Sequence, residues 1–252
     1  MLGDLFLGPR YLLRGFRLIA HPQLRRFFIV PLCINIIVFT GLIWLAANQY
    51  ETLIDWLLPA AHGWWTELTR TLLWLMFALA VGVLLFFGFT LAANMVAAPF
   101  NGLLAERVER LLGATAVHGV VRSTGGWREV WHTVTNELRK LRYFLSVCVV
   151  VFALTFALAF VPVINLGVPL LWGLVGSWLL ALEYLAYPME NHAFSFVEVR
   201  RAARDKRLLT LGFGVATMVV TLIPLINLVV MPASVAGATA MWCDKWARRE
   251  GE

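Results

Sequence analysis

The sequence predicts an all-α integral membrane protein with two long transmembrane helices, two helical hairpins that penetrate the membrane only partly, and amphipathic interfacial helices. Of the 252 residues, 60% are hydrophobic and 14% are charged, whereas a soluble protein carries about 25% charged residues. The few charges leave long uncharged runs, and two of these runs repeat one Pro and Asn pattern. We therefore expect a single membrane domain over residues 1–252, surrounded by the lipid bilayer.

The two transmembrane helices are predicted from the length of uncharged runs. Residues 27–47 contain no charge over 21 positions, and a helix of that length covers the roughly 30 Å of hydrocarbon in a bilayer. Residues 72–98 form a longer uncharged run of 27 positions. A helix of this second length must tilt or extend beyond the bilayer. Both runs are predicted to cross the membrane.

The two hairpins are predicted from an internal repeat, FVPVINLGVP and LIPLINLVVMP. In each copy two prolines flank an Asn, which is Asn165 in the first copy and Asn227 in the second. This pattern breaks a helix and favours a turn, so residues 145–186 and 208–243 are each predicted to form a helical hairpin. The leading arms have 16 residues each and reach about 24 Å. We therefore expect both hairpins to enter the membrane and return without crossing it.

The remaining segments are predicted to lie at the membrane surface. Residues 9–19 are amphipathic, residues 99–142 are predicted to form cytoplasmic or interfacial helices, and two further amphipathic segments lie at 102–112 and 127–143. In this layout 20 of the 21 Lys and Arg residues fall on one side of the membrane. Because basic residues favour the cytoplasmic side, the N-terminus is predicted to be cytoplasmic. The net charge of +6 is explained by this orientation, and nucleic acid is not an expected partner.

No motif of a known enzyme class occurs in the sequence, so the protein is not expected to be an enzyme. The cysteines Cys33, Cys148 and Cys243 lie in apolar runs without CxxC spacing, and the five histidines are scattered. Neither a metal site nor another cofactor is indicated.

The segment HPQLRRFF at 21–28 is the strongest candidate for a binding site. Pro22 suits the first turn of a helix, where free N–H groups and the forked donors of Arg25 and Arg26 match a tetrahedral oxyanion. A basic pair beside a span also occurs as an ordinary positive-inside anchor, and the spacing alone favours that alternative. Polar residues inside the apolar runs are candidates for a permeation path: Asn35, Asn165, Glu183 and Asn227.

Four blocks of sequence resemble the CysZ family of bacterial inner-membrane sulfate permeases: RRFFIVPLCINI at 25–36, ANMVAAPFNGLLAE at 93–106, YPMENH at 187–192 and IPLINLVVMPASVAGATAMW at 223–242. The resemblance implies sulfate uptake across the inner membrane for assimilatory cysteine biosynthesis, with sulfite as a regulator. It also implies that Arg25 and Arg26, with backbone from Gln23 and Leu24, bind sulfate. Family members typically carry Gly at the position of Gln23, so this chain departs from the family pattern there.

Two further expectations accompany this interpretation. We expect a homo-oligomer, and we expect transport without an ATP site because the sequence has no nucleotide-binding motif. The alternative from another functional class is a membrane scaffold or biogenesis factor whose basic face binds anionic lipid.

Overall fold

A computed structural model describes residues 2–57, 64–113, 127–158 and 165–247. Over these residues the chain forms α-helices and no β-strand, which confirms the predicted all-α class. The helices are α1 (Leu2–Ile19), α2 (Arg26–Leu57), α3 (Trp64–Leu111), α4 (Trp127–Leu158), α5 (Val168–Glu190), α6 (Phe196–Asp205), α7 (Arg207–Thr221) and α8 (Pro224–Lys245).

The chain divides into two compact units. The first unit contains Met1–Arg25 and Asn101–Glu252, and the second contains Arg26–Phe100. The second unit therefore holds α2 and most of α3, while the last turns of α3 belong to the first unit.

In the second unit, α2 contains the predicted span 27–47 and continues to Leu57. Its segment Ile29–Gln49 is apolar and long enough to cross a membrane. Large apolar side chains on α2 are exposed, including Ile37 at 71% and Trp44 at 65%. Exposed apolar side chains on this scale are typical of a surface that contacts lipid.

The second predicted span, residues 72–98, lies within α3, a single helix of 48 residues. The amphipathic segment predicted at 102–112 is the end of this same helix and not a separate element. The helix continues through Pro99 and ends just before Gly113, whose positive φ of 70° is typical of a helix C-terminus.

The first unit is built around α1, α5, α7 and α8, which pack against one another. The predicted amphipathic helix at 9–19 begins earlier, at Leu2, and its apolar residues Leu12 and Ile19 are buried by protein. A side chain on Gly15 would overlap the backbone of Ala233, so this glycine allows α1 to approach α8 closely. The apolar face of α1 is therefore a packing surface within the protein.

The first predicted hairpin corresponds to α4 and α5. The amphipathic segment predicted at 127–143 runs without a break into the hairpin, so α4 extends from Trp127 to Leu158. The segments Val134–Leu158 and Val168–Glu190 are both long and apolar enough to cross a membrane. The arm is longer than the 16 residues taken from the apolar run, because the helix includes charged residues that the run excluded.

The second predicted hairpin corresponds to α7 and α8, and its leading arm remains short at 15 residues. The two copies of the Pro and Asn repeat adopt different structures. In the first copy, Pro169 lies in the first turn of α5, and Asn165 precedes that helix. In the second copy, Pro224 begins α8, and the Asn227 N–H donates to the Ile223 carbonyl at 2.8 Å. The interpretation of Asn227 as the residue that forms the turn is therefore wrong, since proline at the first helical position starts the helix earlier.

Candidate functional site

The predicted binding segment lies in the turn between α1 and α2. The N–H groups of Leu24 and Arg25 both donate to the His21 carbonyl, at 2.9 Å and 3.1 Å. The N–H of Gln23 donates to Nδ1 of His21 at 3.4 Å. The Leu24 side chain is buried. The main chain of the segment is thus folded back on His21.

This geometry corrects one part of the sequence interpretation. The sequence indicated a helix beginning at Pro22 with free N–H groups at Gln23 and Leu24, but α2 begins at Arg26. The two N–H groups already have acceptors on His21. The N–H groups that a helix start leaves without helical acceptors belong to the first turn of α2, beginning with Arg26.

The two arginines of the segment are exposed. Neither forms an ion pair with any part of the chain that the structure describes. The Arg26 guanidinium lies 5.0 Å from the centroid of the Phe27 ring, a cation–π contact that leaves its N–H groups able to donate. Arg25 is the last residue of the N-terminal segment of the first unit, and Arg26 is the first residue of the second unit. No carboxylate of the described residues therefore pairs with either of these two positive charges.

Among the predicted path residues, Glu183 has a partner that the sequence did not suggest. Its carboxylate lies 3.5 Å from the Lys140 ammonium, which also bonds Glu137 at 3.0 Å. The Lys140 side chain is only 14% exposed, and these groups line a groove of about 470 Å³ between α4 and α5. Ionisable residues inside membrane segments are rare and usually paired, and they commonly mark a transport route. Lys140 is thus a functional candidate that the analysis of apolar runs missed.

The contacts of the described residues do not bring the three asparagines of the predicted path together. Asn165 and Asn227 are exposed at the ends of their hairpins, and neither contacts Glu183 among the described hydrogen bonds. Asn35 lies within α2, but its side chain falls outside the part of the chain that the structure describes.

A second polar cluster is buried where α3 ends. Glu109 and His192 form a hydrogen bond of 2.8 Å, with side chains 1% and 4% exposed. Nearby, the Asn191 side chain donates to the Gly102 carbonyl at 2.9 Å. The cluster therefore joins the YPMENH segment to the last part of α3, residues 102–109. These buried contacts hold the end of α3 against the segment that follows α5.

Asn136 makes a comparable connection from α4. Its side chain accepts a hydrogen bond from the Phe196 N–H at 3.2 Å and donates to the Phe194 carbonyl at 3.3 Å. These contacts hold the start of α6 against α4.

Across the described residues, no group of three or more His, Cys, Asp or Glu side chains is arranged to hold a metal ion.

Comparisons with known proteins agree with the resemblance carried by the four sequence blocks. A family model described as Sulfate transporter CysZ/Etoposide-induced protein 2.4 matches residues 11–232. The chain is 40% identical to a protein of Pseudomonas fluorescens strain Pf0-1 over 93% of this chain and 92% of the relative, and that relative is named Sulfate transporter CysZ. Relatives of the same name from Pseudomonas aeruginosa strain LESB58 and Pseudomonas syringae pv. tomato are each 41% identical, covering 97% and 93% of this chain and 96% and 91% of their own lengths.

Proposed function

The chain belongs to the family described as Sulfate transporter CysZ/Etoposide-induced protein 2.4, and from this premise we propose that it transports sulfate across the bacterial inner membrane. The observation that carries the proposal is the 40% identity to a named sulfate transporter over more than nine-tenths of both chains. The imported sulfate supplies assimilatory cysteine biosynthesis. The protein acts as a permease or channel and not as an enzyme, and transport needs no ATP site.

The proposed sulfate site consists of Arg25 and Arg26 with backbone from Gln23 and Leu24. Its support is the exposure of both arginines and their lack of ion pairs within the described part of the chain. A guanidinium presents forked N–H donors that match a tetrahedral oxyanion. The long 3.4 Å bond from the Gln23 N–H to His21 is weak, so a sulfate oxygen can replace His21 as its acceptor. Arginine donors carry most of the binding, since the Leu24 N–H is firmly bonded at 2.9 Å.

The route through the membrane is proposed to pass Glu183, Asn165, Asn227 and Asn35, to which the structure adds Lys140. The support is the pairing of Lys140 with Glu183 beside a groove in a candidate span. A lysine neutralised by carboxylates attracts a dianion weakly, and weak attraction favours passage over trapping.

The protein is proposed to lie in the inner membrane with its N-terminus in the cytoplasm, as a homo-oligomer that sulfite regulates. The orientation is supported by the distribution of Lys and Arg, 20 of 21 of which fall on one side in the predicted layout.

Purified protein in liposomes provides the direct test of the proposed function. We expect labelled sulfate to enter proteoliposomes down its gradient and not to enter liposomes that lack the protein. Absence of protein-dependent sulfate entry, together with tight binding of anionic lipid, would instead favour a membrane scaffold.

Selectivity is a further expected result, because the proposed site can only donate hydrogen bonds. Sulfate is fully deprotonated at neutral pH, whereas phosphate retains one or two protons that would face N–H donors. Each unsatisfied group costs about 1 to 3 kcal/mol, so phosphate should compete at least about tenfold more weakly than sulfate. The measurement is displacement of labelled sulfate at fixed ionic strength. Equal displacement by phosphate would indicate a diffuse basic surface.

The depth of the two hairpins can be measured with single cysteines at Asn165 and Asn227 in a variant lacking Cys33, Cys148 and Cys243. Because α4 is 32 residues long and α7 only 15, we expect a membrane-impermeant thiol reagent outside the cell to label position 165 more readily than position 227. Neighbouring positions Leu166 and Leu222, both exposed, serve as controls for access through a pore. Stronger labelling at 227 would contradict this order.

A further inference from the structure

A groove of about 410 Å³ opens on the first unit, lined by the ends of α5 and α8 and by one side of α6. Its wall includes Met189 from α5, Arg201 from α6, and Trp242 and Lys245 from α8, followed by Trp246. None of these residues belongs to the proposed sulfate site. The volume exceeds ten times the roughly 30 Å³ that one water occupies, so the groove accommodates a group larger than a single small oxyanion.

The charges around the groove favour an anion. Arg201, Lys206 and Lys245 line it together with Glu198 and Asp205. Glu198 is already used as a helix cap, since its carboxylate accepts both the N–H and the hydroxyl of Ser195 at 2.7 Å. Arg204 and Arg207, both exposed, follow Arg201 along the chain and extend the basic surface beyond the groove. The balance of charge at the groove is therefore positive.

Trp246 adds an N–H donor that lacks an acceptor among the described residues. Its indole Nε1 is screened from solvent and makes no hydrogen bond with the described residues. The ring is held in place, because it stacks on Trp242 with centroids 6.4 Å apart and an interplanar angle of 17°. The Lys206 ammonium lies 5.9 Å from the Trp246 ring. A buried N–H without an acceptor is costly, and an oxygen of a bound ligand would relieve that cost.

The position of the groove indicates the source of such an oxygen. Met189 is the second-last residue of the candidate span Val168–Glu190, so one wall of the groove lies where that span ends. The phosphate groups of a bilayer lie at this level, and Trp, Lys and Arg are the side chains that concentrate there. The apolar walls from Met189, Phe194 and Trp242 suit the part of a lipid next to its headgroup.

We propose that this groove binds the phosphodiester headgroup of an anionic phospholipid, held by Arg201, Lys245 and the Trp246 indole N–H. Basic pockets at the ends of membrane helices take anionic headgroups in this way. The bound lipid ties the ends of α5 and α8 to α6. This binding is separate from sulfate transport and makes no use of Arg25 or Arg26.

The test is native mass spectrometry of the purified full chain with added phosphatidylglycerol or phosphatidylcholine. The wild type should retain phosphatidylglycerol in preference to phosphatidylcholine. Each basic residue near a membrane surface contributes about 1 kcal/mol, so R201Q/K245Q should bind phosphatidylglycerol about thirtyfold more weakly. The matched variant R10Q/R17Q removes two exposed arginines from α1, outside the groove, and should retain wild-type binding. Equal losses in both variants would overturn the assignment.

A second variant tests the indole donor without altering charge. W246F keeps an aromatic ring but removes the N–H, and it should weaken phosphatidylglycerol binding about tenfold, as expected for a lost hydrogen bond to a charged group. W44F, at an exposed position on α2, is the control and should have no effect. Unchanged binding by W246F would overturn the role of Trp246.

Displacement of the lipid by millimolar inorganic phosphate would overturn the lipid assignment in favour of a soluble oxyanion. Because lipid binding is the readout, failure here is distinguishable from failure of sulfate transport.

Discussion

Replacing Arg25 and Arg26 together with Ala is expected to abolish saturable sulfate binding while leaving the protein folded. Both side chains are exposed, and no ion pair of either is found in the described ranges. Removing them therefore leaves no buried carboxylate without a partner. Each hydrogen bond to a charged group contributes about 1.5 to 3 kcal/mol, so losing two such donors should lower the affinity at least about a hundredfold.

Binding of labelled sulfate to the detergent-purified double variant is the measurement, and elution as a single species in size-exclusion chromatography verifies folding. R139A/R142A is a matched control, since both arginines are exposed on α4 and lie outside the proposed site. R25K/R26K retains the charges but not the forked donors, and it should bind with intermediate affinity. Wild-type binding by R25A/R26A would move the site elsewhere, with the arginines of α1 as the next candidates.

Gly214→Ala is expected to destabilise the first unit strongly. A Cβ at this position in α7 would overlap the carbonyl of Ser177 in α5 and lie 3.1 Å from the Cβ of Ala181. The Ser177 carbonyl belongs to a helix backbone and cannot move aside as a flexible side chain would. Overpacking a close helix contact costs about 1 to 3 kcal/mol or more, so we expect the apparent Tm to fall by about 5 °C or more.

Gly173→Ala is the matched control for this substitution. Gly173 lies in α5, and a Cβ added there meets nothing within 4 Å. Since Ala favours a helix over Gly by up to about 1 kcal/mol, this variant should be as stable as the wild type or slightly more stable. Thermal denaturation of both variants in the same detergent, followed by size-exclusion chromatography, makes the comparison. Equal Tm values for Gly214→Ala and Gly173→Ala would contradict the close helix contact.

Several features of this protein follow from the sequence alone because they depend on neighbouring residues. The uncharged runs at 27–47 and 72–98 lie within the long helices α2 and α3. The second copy of the Pro and Asn pattern marks the start of α8 at Pro224, since proline is favoured in the first turn of a helix. The family is likewise evident from local blocks such as YPMENH, because each block is continuous in the chain.

The proposed sulfate site shows what a local sequence pattern does not reveal. The exposed arginine pair is visible in the sequence, but the engagement of the Gln23 and Leu24 N–H groups by His21 depends on how the chain turns between α1 and α2. The bounds of the helices are also not given by the uncharged runs alone. Charged residues such as Lys140 end an uncharged run, yet α4 continues through them because Lys, Arg and Glu are themselves good helix formers.

Only the tertiary structure decided which distant residues meet. Glu109 and His192 are 83 positions apart, and the groove lined by Arg201 and Trp246 requires the ends of α5 and α8 to lie beside α6. Periodicity identifies the buried face of a helix, but it carries no information on which other helix covers that face. That choice depends on close packing, in which Gly15 and Gly214 set the distances between helices. The sequence alone therefore determined the all-α membrane class and the family, while helix packing decided the buried polar pairs and the grooves.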